Sequence, residues 1–178
     1  MQKRIITLFL ILFSFSTLAS AQQLKIGPQL GLQKANDADE GKLMIGAALR
    51  AKLSPKLGLE GSINYRQEEY ANGAATVKSW PVMVTGLIYP LPFLYGAVGA
   101  GWYNTTIDYD ETINSVVKDK TSQETGWHFG FGLELPIGNN KKLIGDVRYV
   151  LIDYNFDQIP NDLDANFKVI TIGLLFGL

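Results

Sequence analysis

The stretch that decides the fold is Gly126-Trp127-His128-Phe129-Gly130-Phe131-Gly132-Leu133-Glu134-Leu135. Trp127, Phe129, Phe131, Leu133 and Leu135 share one parity; Gly126, His128, Gly130, Gly132 and Glu134 share the other. A β-strand sends successive side chains to opposite faces, so one face here is continuously apolar and the other small, polar or charged. The same period recurs upstream. Leu43, Ile45, Ala47, Leu49, Ala51 and Leu53 alternate with Met44, Gly46, Ala48, Arg50 and Lys52. Leu57, Leu59, Gly61, Ile63 and Tyr65 alternate with Gly58, Glu60, Ser62, Asn64 and Arg66.

Working outward, eight such strands are predicted, at 24–33, 43–53, 57–66, 77–89, 93–106, 123–137, 143–156 and 166–178. Each reaches or exceeds the roughly 9–11 tilted residues that cross a bilayer, whereas strands in soluble sheets most often run about 5–6. Helical periodicity is nowhere sustained. The connections alternate strictly in length. Three are tight: Ser54-Pro55-Lys56, Pro90-Leu91-Pro92 and Gly138-Asn139-Asn140-Lys141. Their Pro, Gly and Asn residues fix φ or tolerate positive φ, as turns require. The other four, 34–42, 67–76, 107–122 and 157–165, are longer and polar. All tight turns therefore fall at one end, with both chain termini, which is the plan of a transmembrane barrel with periplasmic turns and external loops.

The N-terminal residues predict export. Lys3 and Arg4 precede an apolar run over 5–13, and Ala19-Ser20-Ala21 supplies a small-x-small cleavage site. The run is too short for a spanning helix, which needs roughly 20 residues. Cleavage at 1–21 would leave 22–178 as one domain, with 14 basic and 17 acidic side chains, a formal charge of −3. That balance argues against nucleic acid as a partner. Cysteine is absent, which excludes disulfides and thiolate metal sites. A lipid-exposed sheet must close, because hydrocarbon offers an open edge no hydrogen-bond partner.

The polar parity gathers the charges. It places Arg50, Lys52, Glu60, Arg66, Glu124, His128, Glu134, Asp146 and Arg148 on the inner side. An eight-stranded barrel is just wide enough for side chains to fill, and buried charges must pair. A lumen network of Arg50, Glu60, Arg66, His128, Glu134, Asp146 and Arg148 is the resulting expectation, with Arg148 as its hub because its planar group carries five donors. Two aromatic girdles are also expected. Tyr65, Tyr70, Trp80, Trp102, Tyr103, Trp127 and Tyr154 would lie toward the long loops, and Tyr89, Phe93, Tyr95 and Phe176 toward the tight turns. Pro28 and Pro81 each remove a ladder donor, and a local bulge would accommodate them. Gly96-x-x-Gly99-x-Gly101 lies inside a strand with no helix after it, so it is no phosphate loop. The loop carboxylates Asp37, Asp39, Glu40, Asp157, Asp162 and Asp164 are read as solvated, with no metal and no cofactor.

The terminal segment Thr171-Ile172-Gly173-Leu174-Leu175-Phe176-Gly177-Leu178 is similar to the outer-membrane β-signal. Thr171 is its polar residue, Gly173 its glycine, and Phe176 and Leu178 its hydrophobics; Leu178 stands where an aromatic is commonest. Tyr95-Gly96-Ala97-Val98-Gly99-Ala100-Gly101-Trp102-Tyr103 and the opening stretch resemble strands of the small outer-membrane β-barrel family, which includes the OmpA membrane domain and OmpX. The resemblance covers the whole chain after the leader. It implies an all-β, eight-stranded antiparallel transmembrane up-and-down β-barrel in the bacterial outer membrane. It also implies insertion by the barrel-assembly machinery, contact with outer-membrane lipids, a monomeric state, and a structural, envelope or surface-interaction role. An external partner would bind through loops 34–42, 67–76, 107–122 and 157–165. The alternative is a narrow porin or transporter. A lipid-modifying enzyme fits less well: the lipid A deacylases carry a catalytic His-x-Ser, and this chain reads His128-Phe129-Gly130, so no catalytic residue is assigned. Replacing Phe176 and Leu178 together with Asp should abolish assembly, since a charge on a lipid face costs up to a few kcal/mol depending on depth. Gel mobility with and without heating checks this; normal yields of heat-modifiable barrel would remove the β-signal reading.

Overall fold

The computed structural model describes residues 23–35, 41–70, 75–109, 120–152 and 166–178. The expected leader at 1–21, the centres of the four long connections with their six named carboxylates, and Tyr154 lie outside the described residues. Eight strands are present: β1 (Gln23–Ala35), β2 (Lys42–Lys52), β3 (Leu57–Tyr70), β4 (Ala75–Leu91), β5 (Leu94–Tyr109), β6 (Lys120–Pro136), β7 (Lys141–Ile152) and β8 (Phe167–Gly177). They pair in sequence order, every pair antiparallel, and β1 closes on β8. Every edge is thereby satisfied, the condition hydrocarbon imposes.

The face assignment follows parity. Outward, Leu43 is 66% exposed, Trp127 65% and Phe131 63%; inward, Glu60 and Tyr95 are 0%. Large apolar groups outside and charges inside reverse the pattern of a soluble protein. A soluble ligand-binding barrel would show the opposite phase.

The tight turns form as their residues dictate. Ser54 Oγ accepts hydrogen bonds from the Lys56 and Leu57 backbone N–H groups, at 3.3 and 3.1 Å. Gly138 has φ of 82°, a left-handed conformation that a side chain would strain. The β4–β5 turn carries a register shift between Ile88 and Leu91, beside Pro90 and Pro92. The first described residue, Gln23, and Leu178 lie at the tight-turn end, where the Leu178 N–H donates to the Leu24 carbonyl.

Several expectations need correction. The β3–β4 and β5–β6 hairpins stay paired beyond their predicted ends, through Tyr70↔Ala75 and Ile107↔Lys120. Polar residues such as Gln67 and Thr121 suggested loop, but a strand pair polar on both faces still keeps its backbone ladder. No register shift accompanies Pro28 or Pro81. Ile26↔Phe176 and Gln29↔Gly173 keep one register, as do Ile63↔Val82 and Arg66↔Ser79. The ladder lapses on one side only, toward β8 for Pro28 and toward β3 for Pro81. An antiparallel residue aims its N–H and C=O at the same neighbour, so a proline disturbs a single ladder. Finally, Tyr89, Tyr95 and Tyr103 belong to no girdle. They are 2%, 0% and 4% exposed and point inward. Depth along the strand suggested an interface, but parity puts all three rings in the lumen.

Candidate functional site

The lumen holds the chain's concentrated polar chemistry, and register explains its assembly. Arg50 of β2 lies opposite Glu60 of β3, which lies opposite Thr85 of β4. Across the barrel, Asp146 of β7 lies opposite Thr171 of β8, and Arg148 sits two residues further along β7. These groups occupy one depth from opposite walls, and long side chains join them.

Arg148 Nε donates to Asp146 Oδ1 at 3.1 Å and Nη1 to Thr85 Oγ1 at 3.1 Å. Its Nη2 donates to Glu60 Oε1 at 2.6 Å and to Asp146 Oδ2 at 2.7 Å. Arg50 pairs with the other oxygen of Glu60, Oε2, through Nε at 3.0 Å and also through Nη2. Arg50 Nη1 donates to Glu134 Oε2 at 2.9 Å, and the guanidinium carbon lies 4.5 Å from the Tyr95 ring centroid. Glu60 thus bridges both arginines, and the hub expected at Arg148 is shared with Arg50. Lys142 Nζ closes the outer side of Glu134 at 2.8 Å. Three cations, Arg50, Lys142 and Arg148, meet three carboxylates, Glu60, Glu134 and Asp146.

Hydroxyls complete the cluster. Tyr89 donates to Glu134 at 2.7 Å, Tyr95 to Asp146 at 2.9 Å, and Thr171 to Asp146 at 2.7 Å. Sequence reasoning missed Tyr89, Tyr95 and Thr85, and gave Thr171 a different role; the parity of their strands carried the signal. Glycine makes the room. A Cβ on Gly132 would meet the Tyr95 ring and Asp146 Cβ at 2.5 Å, so Tyr95 occupies the space Gly132 leaves.

His128 Nε2 is 2.8 Å from Thr85 Oγ1. Because Thr85 Oγ1 accepts from Arg148, its own hydrogen is free to go to His128. A hydroxyl beside an imidazole is the opening geometry of nucleophilic catalysis. Here, however, Thr85 is 0% and His128 1% exposed. Arg66 also has inward parity, but it lies further toward the long loops and outside this cluster. Gln29 and Asn64 join above the cluster at 2.7 Å. Next comes an apolar layer of Met44, Met83, Tyr103, Val150, Ile152, Phe167 and Val169. On the tight-turn side Lys52 Nζ stands 4.3 Å from the Tyr89 ring centroid.

The fold has several solved counterparts. The attachment invasion locus protein Ail of Yersinia pestis superposes with a TM-score of 0.56 at 15% identity, over 88% of this chain and 97% of Ail. Neisserial surface protein A gives 0.60 at 9% identity, over 88% and 96%. A major outer membrane protein of Thermus thermophilus gives 0.63 at 12% identity, over 87% and 99%. Comparison with curated protein sequences finds no match. At the sequence level, residues 5–176 match the outer membrane protein beta-barrel domain. The chain belongs to that family, and it is an outer-membrane β-barrel protein.

Proposed function

We propose that this barrel is a closed, non-conducting membrane scaffold whose work is done by its external loops, with no catalytic site. The observation that carries this reading is the Arg50–Glu60–Arg148 bridge, which joins β2 and β3 to β7 across the lumen. Two voids beside the bridge, among the described residues, are water-sized. One lined by Lys25, Arg50, Lys52 and Glu134 measures about 10 Å³, as does another lined by Gln29, Met83, Arg148 and Thr171. Such a space holds about one water. The apolar layer above adds a second seal, since hydrophobic constrictions dewet.

Loop composition supports an outward role. The segments 34–42, 67–76, 107–122 and 157–165 contain 12 acidic and 4 basic side chains. One structure of Ail holds the heparin analogue sucrose octasulfate. The acidic balance here disfavours such a polyanion and favours a partner that presents positive charge. The cleaved leader, insertion by the barrel-assembly machinery through Thr171, Gly173, Phe176 and Leu178, and a monomeric state belong to the same proposal.

Arg148→Ala should destabilise the barrel by roughly 3–5 kcal/mol, because it leaves Asp146 without a cation and Glu60 with Arg50 alone in a desolvated interior. Equilibrium unfolding in urea measures this. In planar bilayers the parent protein should show little steady current, and the variant should leak small ions. Large, stable channels from the parent, with unchanged stability in the variant, would promote the narrow-porin reading instead. Orientation has its own test. A cysteine at Gln67 should react with an impermeant thiol reagent on intact cells, and one at Lys56 only after the outer membrane is permeabilised. Equal labelling of both would overturn the assignment of the tight turns to the periplasm.

A further inference from the structure

The barrel's outer wall is apolar throughout its belt, but it is not even. Between β6, β7 and β8 lies a groove of about 460 Å³, within the range of small-ligand sites. Its floor is Gly145, which pairs with Leu133 on one side and Ile172 on the other. The larger neighbours Leu133, Leu143, Val147 and Ile172 stand around the missing side chain as walls. We propose that this groove binds one phospholipid with an anionic headgroup, an acyl chain lying over Gly145 and the phosphate against the Lys141 ammonium.

Gly145 is not there for packing. A Cβ added to it would meet nothing nearer than the Thr171 carbonyl oxygen at 3.7 Å, an ordinary contact, unlike the 2.5 Å collision at Gly132. Glycine in a strand weakens the sheet, and here what it provides is the notch. Gly61, Gly86 and Gly96 also face outward without crowding. What distinguishes Gly145 is the walled groove above it and the cation at its end. Leu143 to Val147 spans about 13 Å along the strand at roughly 3.3 Å per residue, or about 9–11 Å of depth at a strand tilt of ~35–45°, within the ~15 Å of one leaflet.

The charge at the groove's tight-turn end selects the headgroup. Lys141 lies two residues before Leu143 on the same outward parity, exposed, with Nζ 5.7 Å from the Phe176 ring centroid. Lys56 is exposed at the same end of the barrel. The described side-chain carboxylates of this half, Glu60, Glu134 and Asp146, are all buried in the lumen. The charged side chains that the rim turns outward are therefore ammonium groups. An apolar trough ending in a cation at headgroup level complements a lipid anion. Assigning the groove to the periplasmic leaflet rests on the orientation proposed above; the binding itself does not.

The test uses the full barrel in phosphatidylcholine vesicles doped with a lipid carrying a photoactivatable diazirine in its acyl chain. Symmetric leaflets remove orientation from the result. With a phosphatidylglycerol probe, cross-links should concentrate on residues 131–135, 143–147 and 170–172. They should exceed those from a phosphatidylcholine probe by about fivefold, the effect expected of one lysine at an anionic surface. Lys141→Gln should erase the headgroup preference. Gly145→Leu should disperse the cross-links, and Gly145→Ala, the smallest addition, should do so in part, with heat modifiability confirming that each folds. Even labelling around the barrel, or the same labelling in all variants, would each overturn the site.

Discussion

One carboxylate, Glu60, holds two arginines from opposite sides of the barrel. Its Oε1 accepts from Arg148 and its Oε2 from Arg50, with no exposure to solvent. In so closed a space an ion lacking its partner keeps its desolvation cost and loses its compensation, so the groups are committed to one another. Adjacent strands are already joined by backbone ladders. The bridge adds a tie across the lumen, linking β2 and β3 to β7, which no ladder joins directly. The charges are balanced, Arg50, Arg148 and Lys142 against Glu60, Glu134 and Asp146, and the tyrosine and threonine hydroxyls supply further donors.

The remainder of the architecture makes that cluster possible. An apolar outer belt faces the membrane, so the lumen can hold a polar cluster beneath its apolar layer. Glycines inside the wall set the available volume. Gly132 admits the Tyr95 ring, and Gly99, where a Cβ would fall 2.7 Å from His128 Nε2, admits the imidazole. The tyrosines then serve two purposes: their rings fill space and their hydroxyls reach Glu134 and Asp146.

Much of this was legible in the sequence. Period-2 alternation and the alternation of loop lengths specify eight antiparallel strands, and parity alone sends Arg50, Glu60, Glu134, Asp146 and Arg148 inward. The pairing Arg50–Glu60 needed the three-dimensional register, because the length of a turn fixes neighbours only after its geometry is known. The bridge from β7 to β3 is less legible still: it depends on closure and on how far an arginine reaches. Tyr89 and Tyr95 were assigned to an interface because aromatic rings favour headgroups, yet parity contradicted that preference and prevailed. The strand ends of β3 through β6 were drawn short because polarity reads as loop, although pairing continues past the membrane.

The central claim is that Arg148 and Glu60 act as one unit. A double-mutant cycle measures it most directly: unfolding free energies of the parent, Arg148→Ala, Glu60→Ala and the double variant, all in the same lipid. The account predicts strong non-additivity, a coupling of roughly 1.5–3 kcal/mol, with the second substitution costing much less once the first has been made. Effects that simply add, within about 0.5 kcal/mol, would mean that the two charges are independently accommodated and that the bridge does not hold the lumen closed.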